Sequence, residues 1–100
     1  MAFKFDNFAR HVGSRRGYDW YEWMVFMDEP ADKLQQVASV EYRLHPTFAN
    51  PIRHVDDREA RFALKSDGWG EFRIFITIYR SDKREEQTHY ELDLGKAWPT

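Results

Sequence analysis

Hydrophobic and polar positions alternate along most of this chain with the two-residue period of β-strands, and the alternation breaks at clusters of turn-forming residues. The strongest stretch is 71–80, where Phe72, Ile74, Ile76 and Ile78 share a face and β-branched residues are frequent. Residues 37–45 place Ala38, Val40, Tyr42 and Leu44 on one face and Ser39, Glu41 and Arg43 on the other, the pattern of a strand with one solvated side. Residues 17–28 are apolar on both alternating sets, Tyr21, Trp23, Val25 and Met27 against Trp20, Met24 and Phe26, which predicts a strand covered on both faces. Weaker alternation predicts a strand over 60–65, with Ala60, Phe62 and Leu64 inward. Another is expected over 89–94, with Tyr90, Leu92 and Leu94 inward. Phe3 and Phe5 suggest an edge strand within 2–8, although Phe8 falls out of period, and Asp32 to Gln36 is the one candidate helical turn. Asp82 to Glu86 reads as a charged turn and Gly95 to Thr100 as a tail. Several short strands separated by turn signals predict an all-β sandwich or small barrel.

Composition narrows the picture. One hundred residues make a single domain, 1–100, with its core expected over about 18–94. A 42% hydrophobic and 17% aromatic content excludes intrinsic disorder. The absence of cysteine excludes a disulfide scaffold, a thiolate zinc site and a cysteine nucleophile. The longest apolar run, Trp23 to Met27, is too short for a membrane span. A net charge of −2 argues against a nucleic-acid partner, which requires a cationic face.

Two loops carry the candidate chemistry. Leu44-His45-Pro46-Thr47-Phe48-Ala49-Asn50-Pro51 leaves a strand and is stiffened by two prolines. It is at least a rigid corner, but it also presents an imidazole, a hydroxyl and an aromatic ring within four residues. Asp67-Gly68-Trp69-Gly70-Glu71-Phe72 enters the isoleucine strand, and glycines on both sides of the tryptophan permit unusual backbone angles and close approach. A tryptophan held in this way is either a plug on the end of the sandwich or a wall of a binding slot.

Together with Trp23-Met24-Val25-Phe26 and His89-Tyr90-Glu91-Leu92, these loops resemble the YEATS domain family in order and approximate spacing over about residues 20–94. The resemblance implies an immunoglobulin-like β-sandwich. In eukaryotic members of the family, loops at one end of the sandwich form an aromatic slot for acylated lysine. Carried over residue by residue, His45, Thr47 and Phe48 match the first slot loop, and Gly68, Trp69 and Phe72 match the second. An acyl-lysine amide is flat and neutral, so Phe48 and Trp69 are expected to sandwich it. The Thr47 hydroxyl would take the amide N–H, and a backbone N–H at Trp69 would serve its carbonyl. Thr47 stands where the family commonly has serine, and Tyr21 where it usually has histidine. The Tyr21 difference and the short chain point to the prokaryotic branch, whose members are joined to signalling or effector modules.

The implied function is a non-enzymatic recognition module for an acylated lysine or similar planar acyl amide. The partner would be an acylated peptide or protein, a histone only in a eukaryotic setting, and the location cytoplasmic in a prokaryote or nuclear in a chromatin reader. The alternative is an interaction or regulatory module that docks a neighbouring effector domain without reading acyl-lysine. Asp56, Asp57, Glu59, Asp67 and Glu71 lie near the two loops in sequence and would either be ordinary surface or attract a basic peptide. The four histidines, His11, His45, His54 and His89, match no metal motif, and no cofactor fingerprint or activated nucleophile is present. Ser14-Arg15-Arg16 is a small basic cluster expected on a surface loop.

Overall fold

A computed structural model describes residues 3–98. Among them, seven strands and one helical turn follow in the order β1 (Phe5–Arg15), β2 (Tyr18–Met27), α1 (Ala31–Leu34), β3 (Val37–Arg43), β4 (Ile52–Val55), β5 (Leu64–Gly68), β6 (Arg73–Arg80) and β7 (Glu85–Glu91). The strands form two antiparallel sheets, β1-β2-β5 and β4-β3-β6-β7. The protein is an all-β, immunoglobulin-like sandwich.

Inward positions of the two sheets meet in the core. Trp23, Val25 and Met27 of β2 face Val40 and Tyr42 of β3 and Ile74, Ile76 and Ile78 of β6, all fully buried or nearly so. The alternation of 71–80 and 17–28 is therefore realised, with Phe26 buried on the opposite face of β2 against Phe8. This pairing explains why Phe8 breaks the inward period of β1: it covers the outer face instead.

Several expectations are corrected. Ala38 is exposed while Val37 and Val40 are buried, because a register shift between Val37 and Ser39 inserts an extra residue opposite β6. The 60–65 segment is a turn until β5 begins at Leu64. Phe62 reaches the core from that turn with φ +54°, its N–H donating to Asp57 O and its carbonyl accepting from the Tyr42 hydroxyl at 2.6 Å. The last strand starts at Glu85 and stops at Glu91, with Leu92 buried just beyond it.

The first strand is longer than expected. β1 pairs with β2 over its whole length through a two-residue turn, Arg16–Gly17, with φ of 52° and 84°. Both central residues lie in the left-handed region, as a tight hairpin turn of matching twist requires. Residues 95–98 are not a loose tail. Lys96 O accepts from Ala9 N at 2.7 Å, Ala97 bridges Ala9 in parallel, and Trp98 packs on Phe8 and under the Arg10 guanidinium. Residues 99 and 100 lie outside the described residues.

The buried Asn7 anchors this end of the chain. Its Nδ2 donates to Asp93 O, and its Oδ1 accepts from Asp93 N and from the Tyr90 hydroxyl. Beside it, Lys96 is ion-paired with Asp6. Burial works to raise the Asp6 carboxyl, but the Lys96 ammonium, the Asn7 N–H and the Tyr90 hydroxyl together outweigh it and hold it below its ordinary value.

Candidate functional site

The β3–β4 connection begins as a turn. Phe48 N donates to His45 O at 3.0 Å, which encloses Pro46 and Thr47, and proline favours the first central position of such a turn. The loop closes on itself where Leu44 N donates to Pro51 O, and Asn50 takes φ +50° to make the return. Arg53 then holds the far side, its guanidinium donating to Asn50 O and Ala49 O. The loop is thus rigid around its exposed His45 and Thr47.

These two side chains are coupled. The Thr47 backbone N–H donates to His45 Nδ1 at 3.3 Å, and Thr47 Oγ1 lies 2.9 Å from the same nitrogen. A backbone N–H can only donate, so Nδ1 is an acceptor and the imidazole proton sits on Nε2. The Thr47 hydroxyl must then also donate to Nδ1. Its lone pairs are left free to accept from a ligand.

The second loop leaves β5 at Gly68, which is the last residue paired with β2, opposite Tyr21. Trp69 is therefore one step past the sheet, and it is 55% exposed. Its indole stacks on Tyr18, with 4.5 Å between centroids and 25° between planes. Phe72 turns inward and forms the floor, touching Trp23, His45 and Phe48 at 6.0, 6.4 and 5.2 Å between centroids. Neither Gly68 nor Gly70 uses a positive φ. The Phe48 ring packs over Gly68, 3.6 Å from where a Cβ would stand, an ordinary contact distance that a small side chain would also meet.

All six side chains and backbone positions expected from the sequence, His45, Thr47, Phe48, Gly68, Trp69 and Phe72, line one cleft of about 610 Å³ at this end of the sandwich. Among the described residues no ring contact joins Phe48 to Trp69, although both line the cleft. Trp20, Ala49, Asp67, Gly70 and Glu71 complete the lining.

Residues 21–93 match the family described as the prokaryotic YEATS domain. The chain belongs to this family. Transcription initiation factor TFIID subunit 14 of Schizosaccharomyces pombe is 43% identical over 68 residues, which cover 58% of this chain and 27% of that protein. The protein AF-9 homolog of Candida glabrata is 30% identical over 90 residues, covering 83% of this chain and 40% of its own length. The chain thus spans well under half the length of these curated relatives. In fold, it superposes on the Yaf9 YEATS domain solved with a histone H3 peptide carrying a succinylated lysine, with a TM-score of 0.74 at 24% identity, over 95% of this chain and 78% of that one. The yeast AF-9 homolog Yaf9 gives the same TM-score at 25% identity over 90% of this chain and 64% of that one.

The YEATS fold also rearranges the expected charges. Asp56, Asp57 and Glu59 sit in the turn that reaches Met27, whose N–H donates to Arg61 O, at the end of β2 remote from the cleft. Only Asp67 and Glu71 line the cleft, and Glu71 already accepts from Leu94 N at 2.8 Å. Tyr18 and Trp20 were not anticipated as site residues. The signal that would have revealed them is the Arg16–Gly17 dipeptide, a hairpin turn that folds β2 back on β1 and carries its first residues past the sheet.

Proposed function

We propose that this YEATS domain is a recognition module that binds an acylated lysine side chain in the cleft between Phe48 and Trp69. The observation that carries the reading is the Thr47 hydroxyl, fixed by His45 as an acceptor at the mouth of an aromatic cleft. YEATS domains are reader modules, and Yaf9 YEATS structures hold histone peptides with a succinylated or an acetylated lysine. In this reading the lysine stem lies over Phe72. The amide plane is held between Phe48 and the Trp69 face that Tyr18 leaves free, its N–H donating to Thr47 Oγ1. In the same reading the Trp69 N–H, one residue past the pairing of β5, would donate to the acyl carbonyl. An unmodified lysine carries neither the flat amide nor the carbonyl that this arrangement would hold.

A backbone amide titration with acetyl- and crotonyl-lysine peptides, beside the unmodified peptide, tests this. Shifts confined to 45–48 and 68–72, given only by the acylated peptides, are expected. The absence of such shifts at millimolar peptide would mean that the fold has been kept without this ligand.

A further inference from the structure

We infer that Arg15 and Arg16, at the tip of the β1–β2 hairpin, select acyl-lysine peptides with an acidic residue beside the modified lysine. The inference rests on the acyl-lysine reading above and adds the chemistry of the partner's neighbouring residues.

The hairpin outruns its sheet. β5 stops pairing opposite Tyr21, so the strands from His11 to Trp20 project beyond it at the cleft end. That overhang is fastened to the cleft by Tyr18 on Trp69 and by Trp20, which lines it. Arg15 is the register partner of Tyr18, and its guanidinium sits over the Trp20 ring, 4.9 Å from the centroid. One charge is therefore held over a ring that lines the cleft. Arg16 follows in the turn itself, exposed.

The carboxylates nearby are already engaged. Asp19 accepts from Ser14 and lies 3.1 Å from His11 Nε2, and Glu22 is paired with Arg10. Among the described residues no ion pair involves Arg15 or Arg16. On the neighbouring strand β5, Asp67 is the register partner of Glu22 and lines the cleft, and Glu71 is tied to Leu94. The rim is thus polarised, positive at the hairpin and negative at β5. An extended peptide advances about 3.3 Å per residue, so residues flanking the bound lysine would run along the rim that carries the arginines. Guanidinium groups left unpaired in this way favour a carboxylate.

The test uses three crotonyl-lysine peptides that differ only at the flanking positions: glutamates on the N-terminal side, glutamates on the C-terminal side, or lysines on both. One glutamate peptide is expected to bind about three- to fivefold more tightly than the lysine peptide, a margin that narrows at 0.5 M salt. The margin should vanish in the Arg15→Gln/Arg16→Gln double variant and persist in Arg15→Lys. Equal or tighter binding of the lysine peptide would overturn the inference alone. Failure of all three peptides to bind would overturn it together with the acyl-lysine reading.

Discussion

Tyr18 lies nearly flat on Trp69, joining the tip of the first hairpin to the loop that follows β5. Tyr18 covers one face of the indole, yet Trp69 stays 55% exposed, enough to meet a ligand. An aromatic pair of this kind contributes about 0.5–1.5 kcal/mol beyond its buried area. Tyr18→Ala is expected to weaken acyl-peptide binding about two- to tenfold with little change in Tm, because Tyr18 is itself half-exposed. Tyr18→Phe should keep wild-type affinity. Calorimetric titration of both variants checks this, and Trp69→Ala, expected to abolish binding in a folded protein, is the companion measurement.

The His45–Thr47 pair makes a second expectation. Thr47→Val keeps the shape of the side chain and removes its oxygen. The loss of one ligand hydrogen bond costs about 1–2 kcal/mol, or roughly five- to thirtyfold in affinity. Thr47→Ser should bind nearly as well as the wild type. Equal affinity for Thr47→Val and the wild type would show that the hydroxyl plays no part.

Asn7 is fully buried and holds Asp93 and Tyr90 through three hydrogen bonds. Asn7→Ala removes all three bonds and empties a fully buried position, at a cost of about 1–3 kcal/mol. A lower urea midpoint with an unchanged slope is the expected result.

The Asp6–Lys96 pair gives a pH window. Asp6 is held below its ordinary value, so its contribution is complete above about pH 4 and is lost as the pH falls through the lowered pKa. Lys96 is shifted upward, chiefly by its hydrogen bond to Asp6, so its contribution is complete below about pH 10 and is lost as the pH rises past that. Amide shifts of Lys96 and Ala97 followed from pH 7 to pH 2 should report release of this segment from β1 below pH 4. Asp6→Asn should release it at neutral pH.

The sandwich and the cleft loops were legible because both rest on local signals. Ile74, Ile76 and Ile78 alternate without interruption, and the residue order around His45 and Trp69 is unusual enough to resemble one family. What escaped reading was decided by tertiary contacts. Asn7 is a polar residue at an inward position of β1, so the strand lost its apolar period where Asn7 pins Asp93. The Val37–Ser39 bulge moved Ala38 outward with no glycine to announce it. Phe62 copied a strand pattern because its ring is buried, although its backbone is in a left-handed turn held by Asp57 and Tyr42. The charges near the loops were misplaced for a simpler reason: Asp56 and Asp67 are close in sequence, but Asp56 follows β4 of one sheet and Asp67 lies near the far end of β5 in the other.

The two walls of the cleft belong to different sheets. His45 to Phe48 connect strands of the four-stranded sheet, while Gly68 and Trp69 end a strand of the three-stranded one, and Phe72 meets both through Trp23 and Phe48. The aperture for a ligand is therefore a gauge of the distance between the sheets, which the interior side chains set. A substitution that draws the layers together, far from any atom a peptide touches, would be read out as a preference for a slimmer acyl chain. In this architecture, ligand choice can drift through the interior while the slot's own residues stay fixed.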